Sequence, residues 1–446
     1  MRTLCIDDVN MKILHLNTQF GGGAARAALR LHTALGQMGH HSSFFTLDRT
    51  RGDAPQLVYR RPRTLSSLCR RKWRQWRTNS DQRRYQHSRP PGFPMFSDDR
   101  APQGVGLLQQ LPAADVINIH WVAGLVDYRE FLGRASRRSP LVWTLHDMNA
   151  FTGGCHHAHN CGRYAQACGQ CPQLGSQNPA DLSHQIWRRK RKAFADVAKG
   201  RLHVVTPSRW LFEELQRSSL LGKHPCSLIP NGLDVAVFAP RDRRFARQLL
   251  GLPVDAKIIL FVAASLERRH KGLQFLVEAL RHLDRQSNLC LVSVGARAPV
   301  LDLPVIQRHL GTITEDRLMS VAYNAADVFV IPSLMDTLPN TAMEAIACGI
   351  PVVGFNVGGI PDMVRPGVTG LLVPAQDIGG LASAIDHLLD NHALRSEMAG
   401  HCRQVAVAEY SLEVQARRYI ELYQTLLDHA GLHRSDRPAD ENGGLE

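Results

Sequence analysis

Short apolar runs alternate with longer amphipathic segments along most of the chain, and this alternation strongly restricts its fold. The apolar runs of the first half are Ile13–Asn17, Ser43–Leu47, Val116–Trp121, Leu141–Leu145 and Val204–Pro207. Those of the second half are Ile258–Val262, Leu289–Val294, Val328–Ile331, Val352–Phe355 and Gly370–Val373. Strands that alternate with helices form parallel sheets covered by helices on both faces. The pattern therefore predicts the α/β class, with two doubly wound, Rossmann-like domains.

The length of the chain also predicts two domains. A chain of 446 residues is too long for one hydrophobic core and suits two domains of roughly 200 residues each. We expect an N-terminal domain over residues 11–220 and a C-terminal domain over residues 221–410. Residues 1–10 are expected to precede the fold, because Met11 opens the first strand. Residues 431–446 are polar and glycine-rich, which predicts a disordered tail.

The clearest chemical signal is the run from Pro332 to Gly349, which lies between two apolar runs and predicts a strand, a turn and a helix. The free N–H groups at the start of such a helix suit a phosphate, and a nearby carboxylate such as Glu344 can accept hydrogen bonds from ribose hydroxyls. Glu344 has a second interpretation. Thr341 to Glu344 also matches a capping box, in which the Glu satisfies backbone donors, and spacing alone leaves both interpretations open.

An acidic residue and a Glu separated by seven residues, Asp336 and Glu344, resemble the signature of retaining family-four glycosyltransferases of the glycosyltransferase-B fold. The resemblance extends over most of the chain and implies two domains that face a central cleft. It also implies a helix over residues 411–430 that crosses back to the first domain. The donor would be a nucleotide diphosphate sugar, with Asp336 at the sugar, Glu344 at the ribose, and the N–H groups around Asn340 and Thr341 at the diphosphate.

The glycine-rich turn after the first strand is a candidate binding loop, because glycines let a ligand approach the backbone at the start of the next helix. A plain strand-to-helix corner explains these glycines as well. In the family this loop faces the acceptor and the transferred sugar, so the resemblance makes Gly22 and Gly23 candidate binding residues.

The strand Leu141–Leu145 is followed by His146 and Asp147, at the sheet edge where clefts of α/β proteins form. An isolated His is commonly a structural residue, but His146 matches the active-site histidine of the family. His120 ends the preceding strand and is a second candidate. Asp147 is open to two interpretations, because it can orient His146 or cap the following turn.

Cations are expected beside the donor phosphates. The family places an Arg just after the strand that matches Ile258–Val262 and a Lys six residues later. Lys271 matches the Lys, but the Arg position holds Ser265. Arg268 or Arg269 can replace that charge, or they can belong to a solvated loop. The chain has no Asp-x-Asp pair, and no catalytic metal is expected.

Four of the ten cysteines are crowded into an expected insertion over residues 153–175. Four thiolates can close a structural zinc site, which is the favoured hypothesis; disulfides and free thiols are the alternatives. Three neighbouring histidines can substitute as ligands or lie in solvent. The four candidate ligands are Cys155, Cys161, Cys168 and Cys171.

The formal net charge of +13 is concentrated in an expected insertion over residues 60–100, where eleven Lys or Arg residues lie between Arg60 and Arg89. A helix there would place Trp73 and Trp76 on one face among arginines, which suits an anionic membrane surface. A solvated insertion and nucleic-acid binding are the alternatives, although no nucleic-acid motif accompanies the charge. The run Arg188–Lys192 can extend the same surface.

No apolar run approaches the roughly 20 residues that span a bilayer, and residues 1–10 do not resemble a secretory signal. We therefore expect a cytoplasmic protein, peripheral on the inner face of the cytoplasmic membrane.

The combined features predict a retaining hexosyltransferase that transfers a sugar to a hydroxyl of a glycan or lipid-linked saccharide. They are most similar to bacterial enzymes of exopolysaccharide assembly, such as those for colanic acid. A non-catalytic zinc- and membrane-binding adaptor, a nucleic-acid-binding protein and a nucleotide-sugar epimerase are the alternatives.

Overall fold

The structure is a computed structural model that describes residues 10–47, 57–61, 64–93, 95–283, 288–297 and 300–431. Apart from their residues nearest the fold, the expected N-terminal extension (1–10) and disordered tail (431–446) lie outside the described residues.

The first half of the chain forms a parallel sheet of seven strands in the order β3-β2-β1-β4-β5-β6-β7. Its strands are β1 (Lys12–Leu16), β2 (His41–Thr46), β3 (Leu57–Val58), β4 (Val116–Ile119), β5 (Leu141–Thr144), β6 (Leu202–Thr206) and β7 (Cys226–Leu228). The central strands are buried on both faces, because helices cover both sides of a doubly wound sheet. Strand β7 extends this sheet beyond residue 220, the expected end of the first domain.

The second half forms a parallel sheet of six strands in the order β10-β9-β8-β11-β12-β13. Its strands are β8 (Lys257–Ser265), β9 (Leu289–Ala296), β10 (Ile306–His309), β11 (Val328–Ile331), β12 (Val352–Phe355) and β13 (Gly370–Val373). The α/β class and the two doubly wound sheets predicted from the sequence are confirmed.

Thirteen α-helices are found among the described residues. Those before the second sheet are α1 (Gly23–Gln37), α2 (Leu65–Arg83), α3 (Tyr128–Arg138), α4 (Leu182–Ala195), α5 (Arg209–Arg217) and α6 (Arg243–Leu249). The others are α7 (Leu273–Arg281), α8 (Asp316–Asn324), α9 (Asn340–Ala347), α10 (Ile360–Met363), α11 (Ile378–Asp390), α12 (His392–Tyr410) and α13 (Leu412–His429). None of them combines the length and apolarity needed to cross a bilayer.

The last helix, α13, packs against the first sheet although it follows the second sheet in the chain. Its buried face joins a core with residues of β1, β4 and α1. Two tyrosine hydroxyls fix its position: Tyr423 accepts a hydrogen bond from Asn118 Nδ2 at 2.7 Å, and Tyr419 lies 2.8 Å from Thr144 Oγ1. Helix α13 thus connects the second half of the chain to the first sheet.

The basic segment forms helix α2, and none of its residues is buried. Trp73 and Trp76 are 57% and 63% exposed, so the apolar face of the helix is open to solvent. Arg74 attaches the helix to the first domain through an ion pair with Glu130 and a second, of 3.6 Å, with Asp127.

The second basic run, Arg188–Lys192, does not lie wholly on the surface as expected. Lys190 is fully buried and donates to the carbonyls of Asn149 and Thr152. Arg189 pairs with Asp99 at 2.6 Å. The other three cations of this helical run are exposed, because one face of α4 must pack on the domain.

Candidate active site

A cavity of ≈ 450 Å³ lies between the two sheets and is called the cleft below. Its walls include the glycine turn before α1, the ends of β8 and β9, and the start of α9. Parallel strands gather their carboxyl ends at one edge of a sheet, where ligands of α/β proteins bind. All eight residues predicted for donor binding or catalysis line it: Gly22, Gly23, His146, Lys271, Asp336, Asn340, Thr341 and Glu344.

Glu344 is buried on α9 and has side-chain partners from both halves of the chain. Its Oε1 accepts a hydrogen bond from Arg30 Nη2 at 2.8 Å, and its Oε2 accepts one from the Tyr323 hydroxyl at 3.0 Å. Helix α9 has Pro339 at its N-cap and no side-chain cap, and Glu344 is its fifth residue rather than part of the first turn. The capping-box interpretation is therefore wrong.

Arg30 reaches Glu344 from α1 of the first domain. It is buried and also contacts Asp316 Oδ2 at 3.2 Å. Burial lowers the pKa of Arg30, but the charges of Glu344 and Asp316 outweigh burial, so its pKa is raised and it stays charged. Arg26, one turn earlier, lies 3.4 Å from Glu344. Two cations of the first domain thus contact one carboxylate of the second.

Asp336 and Lys271 form an ion pair of 2.6 Å between Lys271 Nζ and Asp336 Oδ2, and both side chains are mostly buried. Gly272 follows Lys271 in a left-handed conformation with φ of 81°, and a Cβ there would lie 1.8 Å from the carbonyl oxygen of Pro332. The loop after β8 therefore packs closely against the end of β11 and holds Lys271 beside Asp336.

A glycine pair supports the turn that carries Asp336. The N–H of Gly359 donates to the Asp336 carbonyl at 2.9 Å. A Cβ at Gly358 would lie 2.2 Å from that carbonyl, and one at Gly359 would lie 1.8 Å from the Thr337 carbonyl. Side chains at these positions would displace the turn. The observed contacts of this glycine pair are therefore structural.

Cationic groups line the part of the cleft beyond β8. Ser265, at the position where the family has an Arg, is the last residue of β8. Arg268 and Arg269 are both exposed, and of the two only Arg268 lines the cleft. Lys271, which also follows this strand, lines the cleft as well.

The two domains also meet at the glycine turn. Asn340 Nδ2 donates to the Gly23 carbonyl at 3.1 Å, and Gly22 precedes α1 with φ of 93°. A Cβ at Gly22 would have no atom within 4 Å. The glycine turn thus leaves open space at the cleft wall, next to the first N–H groups of α9, which have no partner within their own helix.

His146 lines the cleft, and two other histidines stand behind it. His146 Nε2 lies 3.0 Å from His120 Nδ1, and His120 Nε2 lies 2.9 Å from His15 Nδ1. Burial lowers the pKa of His146 to about 4, although Asp147 opposes the shift. His120 is buried and is not among the residues that line the cleft. It therefore contacts His146 rather than facing the cleft beside it, as the sequence had suggested.

Asp147 caps the turn that follows it instead of orienting His146. Its Oδ1 accepts from the Asn149 N–H at 2.8 Å, and its Oδ2 lies 2.6 Å from His156 Nδ1. Burial alone would raise the pKa of Asp147, but the neighbouring His156 and His157 and the Asn149 N–H lower it to about 2.

The histidines near the cysteines differ from the solvated residues that the sequence suggested. His156 is buried against Asp147 and Ser97, and His157 lines the cleft. Only His159 is exposed.

The four clustered cysteines surround one small cavity. All four are free thiols, so disulfides are not formed. Burial raises the pKa of Cys168 to about 12 and that of Cys155 further, which keeps both thiols protonated. Among the described residues no group of three or more His, Cys, Asp or Glu side chains is arranged to hold a metal ion. The arrangement therefore gives no support to the structural zinc hypothesis.

Some residues of the site were not predicted, because their signal lies in contacts distant in sequence. Arg30 lies 314 positions from Glu344, and its place in the amphipathic helix α1 gives no indication of a partner. Tyr323 and His157 are missed for the same reason. Asn231 also lines the cleft.

The fold defines a two-domain α/β protein with a cleft between its sheets. Sequence models of two glycosyltransferase families match it: Glycosyltransferase Family 4 over residues 21–237 and Glycosyl transferases group 1 over residues 256–391. The chain belongs to the family-four, group 1 glycosyltransferases.

Curated relatives include the D-inositol 3-phosphate glycosyltransferases of Acidothermus cellulolyticus and Mycobacterium bovis. The chain is 33% identical to the first over 309 residues and 31% identical to the second over 300 residues. These regions cover 64% and 62% of this chain, but only 61% and 54% of the two relatives.

Two solved structures share the fold over almost the whole chain. Sucrose-phosphate synthase from Thermosynechococcus elongatus aligns with a TM-score of 0.64 and 22% identity, covering 94% of this chain and 100% of the other. Anabaena HepE, solved in complex with UDP-glucose, aligns with a TM-score of 0.65 and 18% identity, covering 93% and 100%.

Proposed function

We propose that this protein transfers a sugar from a nucleotide diphosphate sugar to a hydroxyl group, with retention at the anomeric carbon. The observation that carries the proposal is the cleft, which unites Lys271, Asp336 and the start of α9 with His146 and the glycine turn of the other domain. Its volume of ≈ 450 Å³ is within the usual range for a small-molecule site.

The second domain is suited to the nucleotide diphosphate. As the sugar leaves, negative charge accumulates on the departing diphosphate, and fixed cations and N–H groups stabilise such charge. Lys271 and Arg268 supply the cations, and the N–H groups of Asn340 and Thr341 lie at the positive end of α9. Lys271 would exchange its contact with Asp336 for the phosphates, which frees Asp336 to accept hydrogen bonds from the donor sugar.

Glu344 is proposed to hold the ribose. Its carboxylate has more acceptor capacity than its contacts with Arg30 and Tyr323 use, and Arg30 keeps it oriented towards the first domain. The solved complex of Anabaena HepE with UDP-glucose supports a nucleotide sugar as the donor class. The names of the curated relatives support sugar transfer.

Retention requires that the acceptor hydroxyl attack from the face that the diphosphate leaves. The family resemblance supports a mechanism in which the leaving phosphate helps to deprotonate the attacking hydroxyl. His146 and the glycine turn lie across the cleft from Lys271 and are proposed to contact the transferred sugar or the acceptor.

The proposed acceptor is a glycan or lipid-linked saccharide used in surface polysaccharide synthesis. Helix α2 supports a lipid-linked acceptor, because its exposed Trp73 and Trp76 lie among arginines on a helix without buried residues. Such a helix favours binding to an anionic membrane surface, and the protein would then work at the inner face of the cytoplasmic membrane.

The test is to incubate the purified protein with a panel of nucleotide sugars, with and without extracts of lipid-linked oligosaccharides, and to measure nucleoside diphosphate release. We expect release that depends on the acceptor and is abolished by Glu344→Ala. Glu278→Ala, which changes an exposed Glu on α7, is the matched control and should leave release unchanged.

The alternatives give different results in the same assay. An epimerase would alter the donor without an acceptor and release no diphosphate. An adaptor or a nucleic-acid-binding protein would show no donor turnover, and its lipid or oligonucleotide binding would survive Glu344→Ala. Calorimetry in which no uridine, guanosine, adenosine or thymidine diphosphate compound binds would overturn the proposal.

A further inference from the structure

Three histidines form a continuous chain from the core of the first domain to the cleft. His15 lies on β1, His120 directly follows β4, and His146 closely follows β5, and these three strands are neighbours in the sheet. The ring nitrogens are 2.9 Å apart at the first junction and 3.0 Å apart at the second. The rings of each pair are stacked, with 25° between their planes.

Each ring in this chain is neutral near pH 7. Burial lowers the pKa of His15 and of His120 well below the ordinary value for histidine, and it lowers the pKa of His146 to about 4. A neutral imidazole carries one proton, so one of its nitrogens donates and the other accepts.

Only two proton arrangements satisfy both junctions. In the first, every ring carries its proton on Nδ1: His15 donates to His120, His120 donates to His146, and His146 presents an Nδ1–H group to the cleft. In the second, every ring carries its proton on Nε2, the donation runs from His146 inward to His15, and His146 presents a bare Nδ1. The tautomer of the residue at the cleft therefore depends on the residue in the core.

The buried end of the chain distinguishes these arrangements. His15 is fully buried, and its Nε2 has no hydrogen-bond partner among the residues that the structure describes. His32, the adjacent ring, directs its Nδ1 to Ser42 Oγ at 2.7 Å. The second arrangement would bury an unpaired N–H at His15, whereas the first leaves an unpaired acceptor. Among buried main-chain groups an unpaired N–H is rarer than an incompletely paired acceptor, and we expect the same preference at the imidazole nitrogens of His15.

We propose that His15 and His120 are positioning residues that hold His146 in the tautomer protonated on Nδ1, so that the cleft receives an N–H donor. Within the proposed transferase, this donor would meet an oxygen atom of the bound sugar or acceptor. The inference rests on the proposed function for that last contact alone, because the tautomer is a property of the unliganded protein.

The first measurement is a long-range ¹H–¹⁵N correlation spectrum of the full chain labelled with ¹⁵N-histidine, near pH 7. The His146 signals are assigned by their loss in His146→Asn. We expect the pattern of an imidazole protonated on Nδ1. A proton on Nε2 of His146 in the wild-type protein would overturn the inference.

The second measurement compares His120→Asn with His120→Asp, which are almost equal in size. An Asn side chain can donate an N–H from the position of His120 Nδ1, whereas a carboxylate there can only accept. We expect the His146 proton to stay on Nδ1 in the Asn variant and to lie on Nε2, with Nδ1 unprotonated, in the Asp variant. The same tautomer in both variants would contradict the positioning role.

Turnover separates this inference from the proposed function. If the protein is a transferase, His120→Asp should lower kcat by about a hundredfold or more, the usual effect of losing one oriented hydrogen-bond donor, and His120→Asn should restore most of it. The KM for the donor should change little. If no nucleotide sugar is turned over but the spectrum shows the Nδ1 proton, the proposed function fails and the positioning of His146 stands.

Discussion

At the scale of single residues, the lowered pKa of Asp147 predicts how the stability of the protein depends on pH. Its pKa is lowered from its ordinary value of 3.8 to about 2. Because the folded-state pKa is the lower one, the stabilisation is complete above pH 3.8 and is lost as the pH falls towards 2. The shift corresponds to about 2 kcal/mol.

We therefore expect Asp147→Asn to lose stability at neutral pH and to show a weaker acid dependence than the wild-type protein. Urea unfolding at pH 6 and at pH 3 measures both effects. Asp255→Asn, which changes an exposed loop residue, is the control and should behave like the wild type. If the stability of Asp147→Asn and of the wild type fell equally with pH, the lowered pKa of Asp147 would be contradicted.

The residue scale also shows what a sequence can predict about a site. His146, Lys271, Asp336 and Glu344 each follow a strand or lie in a helix next to one, so the local pattern made them candidates and the family resemblance selected them. Arg30 is different, because a cation on an amphipathic helix is normally solvated. Its role depends on which carboxylate the fold places beside it, and the periodicity of a helix does not identify a partner that is distant in sequence.

At the scale of secondary-structure elements, all ten predicted strands are present, whereas β3, β7 and β10 were not predicted. All three are edge strands of their sheets. A buried parallel strand is a run of apolar residues, but β3 and β7 have only two and three residues, and β10 is mostly polar and exposed along its whole length, so none of them contains such a run. Each of these strands forms by pairing with a neighbouring strand of the sheet, and the local sequence does not show which strand that neighbour is.

The glycine pair behind Asp336 leads to a prediction about the turn between β11 and α9. Gly359→Ala would place a Cβ 1.8 Å from the Thr337 carbonyl, so the turn must move. We expect the affinity of this variant for the donor to fall at least tenfold. We also expect a destabilisation of about 1–3 kcal/mol, as is typical of overpacking. Calorimetric titration with the donor and urea unfolding measure the two effects.

Gly379→Ala is the matched control for that change. Gly379 lies in helix α11, and a Cβ there would meet only a carboxylate oxygen of Asp377 at 3.9 Å. Alanine is favoured over glycine in a helix by up to about 1 kcal/mol, so this variant should be as stable as the wild type or more so. Donor binding that is unchanged in Gly359→Ala would show that the turn does not position Asp336.

Helix α2 leads to a second prediction at this scale. If its exposed apolar face binds membranes, replacing Trp73 and Trp76 with Ser should reduce binding to vesicles of anionic lipid at least tenfold. Stability should change by no more than about 0.5 kcal/mol, because both rings are mostly exposed. Vesicle co-sedimentation measures the binding.

The control for α2 is Phe245→Ser, which removes an aromatic ring that is 63% exposed on α6. It should leave vesicle binding unchanged. Equal binding by the wild-type protein and the double tryptophan variant would refute the membrane role, and binding to neutral vesicles as strong as to anionic ones would refute the contribution of the arginines.

At the scale of the whole molecule, two separate connections join the domains. Helix α13 returns to the first sheet through Tyr419 and Tyr423, and Arg30 crosses the cleft to Glu344. The first connection is mainly an apolar core, and the second is an ion pair at the cleft. The same carboxylate thus serves the domain contact and the proposed ribose contact.

A double-mutant cycle tests whether the ion pair across the cleft couples the domains. Both side chains are at most 8% exposed, and removing one partner of a buried pair leaves the other charge uncompensated. Arg30→Met and Glu344→Gln should each be destabilising, and the double variant should be less destabilised than their sum by about 1–3 kcal/mol. The free energies of unfolding of the four proteins in urea give this coupling.

The exposed pair Arg417 and Glu413 on α13 is the control, with an expected coupling below about 0.5 kcal/mol. Additive effects at Arg30 and Glu344 would mean that the domains approach each other without this contact, and α13 would then be their principal connection.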